Sequence, residues 1–145
     1  MKCKRVQGMF ILVLLLINSA CATQPFAHVE VSVHQRTYQL EYALDQQQRA
    51  KGLMHRRSLC ENCGMLFNFQ QSKKAKLWMK DTFIPLDVAF IRKDGTIMEI
   101  RAMQPHDTRL TQASQNILYA WEMQQTWFDK NAIKVGDIVN IKLLE

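Results

Sequence analysis

Hydrophobic and polar residues alternate along much of the chain. Val29, Val31 and Val33 are separated by Glu30 and Ser32, and after a short polar stretch Tyr38, Leu40 and Tyr42 repeat the pattern. Period two in two adjacent runs predicts a hairpin of half-buried strands. Asp45 opens a different segment: with Gln48 it has the spacing of a capping box. A short helix is expected over 46–54, with Ala50, Leu53 and Met54 inward and Gly52 marking close packing or the helix end. From Gly64 the period returns to two, with Met65, Phe67 and Phe69 on one face. A lysine-bearing loop then leads to an expected strand over 77–82, stopping before Ile84 and Pro85. Proline has no N–H to give a ladder, so Pro85 belongs at an edge, bulge or corner.

Residues 88–92 and 97–103 flank Asp94-Gly95, a strong hairpin signal. Pairing about that turn would set Ala89 and Ile91 beside Met98 and Ile100 on one buried face. Tyr119, Trp121 and Met123 alternate around Glu122, residues 126–131 read as a second short helix, and Val135-Gly136-Asp137 turns into a closing strand over 138–143. Seven or eight short strands with one or two short helices predict a mainly β fold, a jelly-roll-like β-sandwich or partial barrel.

Ahead of the first strand the pattern changes. Lys2, Lys4 and Arg5 precede nine apolar residues, 9–17, and then Ser19-Ala20-Cys21-Ala22, which is the order of a secretory signal. Nine residues is about half of the ~20 that a bilayer crossing needs, so no transmembrane anchor is expected. Cleavage after Ala22 would leave one β-rich domain, 23–145, in the periplasm or secreted. The alternative is a membrane-anchored lipoprotein through Cys21, although Asn18 stands where such signals place an aliphatic residue. Loss of residues 1–22 lowers the formal net charge from +6 to +3, too small and scattered an excess to suggest nucleic acid. Lys73, Lys74 and Lys76 form the only dense basic run and read as a solvated loop. Cys60 and Cys63 are then the remaining cysteines, and an oxidising compartment favours a disulfide between them.

Four stretches carry a family likeness: Arg49-x-x-Gly52-Leu53-Met54-x-Arg56; Gly64-Met65-Leu66-Phe67; Trp78-Met79-Lys80-Asp81-Thr82-x-Ile84-Pro85-Leu86-Asp87; and Val135-Gly136-Asp137. In order and rough spacing, over 29–144, the chain resembles the domain of unknown function 192 family. The resemblance implies a mainly β, jelly-roll-like fold among proteins that often carry export signals, and it implies no activity. Asp81 stands where that family usually has Asn, and Trp121 precedes Glu122 where Leu is usual. Either change could alter the charge or shape of a pocket.

The candidate site residues are charged groups set at the ends of apolar strands: Arg49, Arg56, Lys80, Asp81, Asp87 and Glu122. A charge in such a strand must reach water, find a partner or serve a site, because burying it alone costs several kcal/mol. Ion pairs of Arg49 with Asp87 or Glu122 are the structural expectation. The functional one is a rim of charges around a shallow cleft beside Trp78, whose ring offers contact area to a small polar ligand. Two enzymatic alternatives stand beside it: Asp81 and Asp87 as an acid–base pair of a hydrolase, or Cys60-Glu61-Asn62-Cys63 as a thiol redox pair. Met54, His55, Cys60, Cys63 and Met65 also fall within twelve residues and suit Cu(I), though Met54 and Met65 hold core-facing positions. His28, His34, His55 and His106 lack zinc spacing, and no G-x-S-x-G, H-E-x-x-H, P-loop or G-x-G-x-x-G occurs. The expectation is an exported monomeric binding or accessory module. It needs no cofactor, and its partner is a small polar ligand or another envelope protein.

Overall fold

The structure, a computed structural model, describes residues 25–144. The signal-peptide and Cys21 expectations lie outside the described residues. The alternating runs at the start form the expected hairpin, β1 (Ala27–Val33) and β2 (Arg36–Ala43), paired from Ala27 with Tyr42 to Val33 with Arg36. Strands β3 (Gly64–Lys73), β5 (Leu86–Ile91), β6 (Ile97–Met103), β8 (Ile117–Gln124) and β9 (Asn140–Leu143) join them in one seven-stranded sheet. Its order is β6-β5-β8-β3-β2-β1-β9, antiparallel except where β2 runs parallel to β3. A second, two-stranded sheet pairs β4 (Lys76–Leu77) with β7 (Thr111–Gln112).

The long sheet curls until its ends meet. Thr96 bridges Ile138, Ile97 N–H donates to the Asp137 carbonyl at 2.9 Å, and Val139 N–H donates to the Gly95 carbonyl at 2.9 Å. The sheet does not close into a barrel. Period-two alternation therefore separates two apolar cores. Val29, Val31, Leu40, Leu66, Ala89, Ile91, Trp121 and Met123 fill the inner face, capped by Trp127 and Phe128 of α2 (Trp127–Lys130). Met65, Phe67, Phe69, Leu86, Val88, Phe90 and Ala120 form the outer face. That face is covered by Leu53, just past α1 (Gln46–Lys51), and by the 75–84 segment through Ala75, Leu77, Met79 and Ile84.

Several local expectations shift. The helix ends at Lys51, sooner than predicted, because Gly52 turns the chain with φ 44°; Ala50 is exposed, while Leu53 is buried from the turn that follows. Of the expected 77–82 strand only Leu77 pairs with a neighbouring strand, beside Lys76 just ahead of it. Beyond them Thr82 N–H bonds back to the Met79 carbonyl at 3.2 Å and Asp81 takes φ 51°, so the segment turns over the sheet instead of extending it. The Asp94-Gly95 hairpin forms, but a bulge after Phe90 sets Ile91 opposite Ile97. Ile97 and Ile100 thus lie with Ala89 and Ile91 on the inner face, and Met98 packs on the outer one.

Candidate functional site

Glu122 sits in the middle of β8, opposite Met65 of β3 and Val88 of β5, so its side chain points to the outer, apolar face. It is 4% exposed, and among the described residues it makes no side-chain hydrogen bond or ion pair. Burial raises its pKa to about 8, so the group is largely a neutral carboxylic acid at neutral pH. Above it the turning segment leaves a narrow cleft. Arg49, Lys51, Gly52 and Met54 line one side, Leu77, Trp78, Met79 and Thr82 another, and Phe67, Leu86 and Glu122 the floor. At Gly52 a Cβ would stand 3.2 Å from the Phe67 ring on a backbone already at φ 44°, so a side chain there would crowd the cleft wall.

Of the residues singled out in the sequence, Arg49, Trp78 and Glu122 line this cleft together. Trp78 is 44% exposed at its mouth, with the Lys80 ammonium 5.5 Å from its ring centre. Arg49 is held by backbone: its Nη1 donates to the carbonyls of Leu44 and of Asn68, the latter at 2.9 Å. Arg49 forms no ion pair with Glu122, its Nη1 being taken by the two carbonyls, nor with Asp87, which lies opposite Met123 and so on the other face from Glu122. There Asp87 accepts a 2.7 Å bond from the Thr126 N–H, and burial raises its pKa. Arg56 stands apart from the cleft, in a two-pronged pair with Glu41 at 2.5 and 2.6 Å.

Asp81 does not line the cleft. Its carbonyl accepts from the His55 N–H at 2.8 Å, tying the segment after α1 to the 78–82 turn. Its φ of 51° is left-handed, which Asn and Asp tolerate better than other residues. The Asn-to-Asp departure therefore keeps a backbone requirement and leaves the cleft floor unchanged. Trp121 faces the inner core, edge-on to Phe128 at 5.0 Å, and does not shape the cleft.

Asp81 and Asp87 approach from different sides of the sheet and form no carboxylate pair. Cys60 and Cys63 are joined in a disulfide that closes a turn before β3. That bond removes both thiolates from the copper set, and Met65 is fully buried in the outer core. Among the described residues no cluster of three or more His, Cys, Asp or Glu is placed to hold a metal. Sequence pattern marks Gly52 for packing and gives no sign of Lys51, Met79 or Thr82. Their part in the cleft comes from the turn at 79–82, where a strand is the natural reading.

The family model described as "Uncharacterized ACR", domain of unknown function 192, matches residues 28–141. A comparison with curated proteins found no match. Among solved structures, the chain is similar to a protein of Sinorhizobium meliloti 1021 provisionally described as a transcription regulator. The TM-score is 0.75 at 29% identity, over 81% of this chain and 96% of that one. It is also similar to a protein of unknown function from Novosphingobium aromaticivorans DSM 12444, with TM-score 0.71 and 29% identity, over 82% of this chain and 94% of that one.

Proposed function

The chain belongs to the domain of unknown function 192 family, and from that premise we propose that it is an exported ligand-binding module of the cell envelope whose site is the cleft over Glu122. One observation carries this. A carboxyl group lies on an apolar sheet face without a protein partner among the described residues, beneath a cleft that an exposed tryptophan overhangs. The residue keeps 4% of its surface exposed, so a partner that arrives from outside can reach the carboxyl through the cleft. Export is supported by the charged, apolar and small-residue order of 1–22 and by the Cys60–Cys63 disulfide, which fits an oxidising compartment.

A buried acid with a raised pKa also suits general-acid catalysis. Such chemistry needs a second group within reach, and neither Asp81 nor Asp87 lines the cleft. Transcription regulation, the provisional description of the Sinorhizobium protein, finds no support in the helices: α1 has six residues and α2 four, short for a recognition helix. Binding is tested by a thermal-shift and NMR screen of sugars, small acids and small amines against the wild type and Trp78→Ala. Shifts confined to residues around Glu122 and weakened at least fivefold in Trp78→Ala are expected. If nothing binds, or if Trp78→Ala binds equally well, the cleft is not the site. The intact mass of the exported protein distinguishes cleavage after Ala22 from lipidation at Cys21.

A further inference from the structure

We infer that the cleft selects small organic carboxylates, whose head reaches Glu122 while the rest of the ligand lies on Trp78. This rests on the cleft being a binding site and adds the chemical class of what it takes. Three independent features point to it.

The first is space. Inside the cleft only about 20 Å³ is open to the centre of a water molecule, close to the room one or two waters need. Only a head of a few atoms fits so small a space, and the larger remainder of a ligand meets the exposed ring of Trp78.

The second is the charge at the mouth. Arg49 and Lys51 line the cleft, and Lys80 rests on Trp78. None of these three cations has a carboxylate within ion-pair distance among the described residues. Arg56, the neighbouring cation on the same stretch, is taken by Glu41. Asp81 is the acidic residue of the 78–82 turn and leaves the mouth net positive. Such a rim raises the local concentration of anions and repels cations.

The third is the floor. Arg49 and Lys51 of α1 are the other titratable groups lining the cleft; the 77–82 segment contributes Leu77, Trp78, Met79 and Thr82, β3 Phe67, and β5 Leu86. In that setting Glu122 keeps its proton at neutral pH. A protonated carboxyl can donate O–H to an incoming carboxylate, a charge-assisted bond stronger than a neutral one. An ammonium head would have to pass the cationic rim and drive the proton off Glu122 before it gained an ion pair.

The test compares benzoate, benzamide and benzylammonium, which share a ring and differ in the charge of the head, by NMR titration of the full exported chain. At pH 6.5 benzoate is expected to bind at least tenfold more tightly than either of the others. Its affinity should fall about tenfold by pH 9, as a group of pKa about 8 loses its proton. Glu122→Gln keeps a donor and should bind benzoate without that fall; Glu122→Leu should lose binding, with circular dichroism checking that both variants are folded. Preference for benzamide or benzylammonium at the same residues overturns the carboxylate selection and leaves the cleft as a site. An equal pH fall in Glu122→Gln overturns it in the same way. If none of the three binds, the carboxylate class is overturned; if the broader screen is silent as well, the cleft itself is not a site.

Discussion

Replacing Glu122 by Gln isolates one proton. The folded acid holds its proton to about pH 8, whereas a glutamate in the unfolded chain releases it near pH 4.5. As pH rises through 4.5 the unfolded chain gives up this proton first, so between about 4.5 and 8 the folded state binds one proton more. Stability must then fall with rising pH, by roughly 1.4 kcal/mol per unit once well inside the window, and level off above the folded pKa. Integrated from pH 5.5 to 8, the loss is about 3 kcal/mol. A glutamine side chain carries no such proton and keeps the shape and a hydrogen-bond donor. Urea unfolding of both proteins at pH 5.5 and 8 measures the gap, because groups common to both cancel. Asp87, whose pKa burial also raises, adds the same trend to each. The lowered pKa values of Asp94, Glu99, Asp107 and Asp137 contribute stability that is lost only as acid takes the pH down through their folded pKa values, below the window. The Gln variant should gain about 3 kcal/mol on wild type between the two pH values. A gap that stays constant within about 1 kcal/mol would mean that Glu122 is not buried without a partner.

Three further outcomes follow from particular contacts. Asp81→Asn should leave the urea midpoint unchanged, since both residues accept φ 51°, while Asp81→Ala should lose roughly 1 kcal/mol to the left-handed backbone. The double change Cys60→Ser, Cys63→Ser should cost about 2 kcal/mol by urea unfolding and leave the far-ultraviolet spectrum intact, because the bridge closes a short loop. A larger loss would show that the bridge holds more than its turn. Gly64→Ala should destabilise by about 3 kcal/mol: its Cβ would fall 2.3 Å from the Glu122 carbonyl oxygen, which belongs to a central strand and cannot move aside. Unchanged stability would imply that β3 and β8 are less closely apposed.

The parts of the fold legible in the sequence are those where burial follows the chain's own period. Val29 to Val33, Met65 to Phe69 and Tyr119 to Met123 each divide cleanly between faces, and the Asp45–Gln48 box caps α1 as its spacing requires. Two of the failures have physical causes of longer range. A bulge after Phe90 adds a residue to one strand and so exchanges Met98 for Ile97 on the inner face, a change invisible to period two. Residues 75–79 alternate like a strand, with Ala75, Leu77 and Met79 buried, but their apolar partner is the sheet face beneath. The same limit applies to the site. Glu122 stands out in sequence as a charge in an apolar run, whereas parity alone sends Asp87 to the opposite face once β5 is in register with β8. Trp78 and Arg49 reach the cleft through the turn at 79–82 and the stop at Gly52, neither of which shows as an alternation.

The position of Glu122 sets stability against recognition. Met65 and Val88 flank it in register, Phe67 and Leu86 share its face, and a leucine at 122 would bury comparable volume without a polar atom to desolvate. Such a change should stabilise the protein most at alkaline pH, where the wild-type carboxyl is driven to ionise inside apolar surroundings. It would also leave the cations at the cleft mouth facing a floor with nothing to offer an anion. A carboxyl placed there against the packing preference of its neighbours fits the cleft above it better than the sheet it belongs to. The measurable form of that conflict is opposite signs in one variant: Glu122→Leu more resistant to urea than wild type at pH 8, and unable to bind benzoate at any pH. If Glu122→Leu were instead less stable at pH 8, the carboxyl would have an unrecognised partner in the fold, and its claim on an outside ligand would lapse.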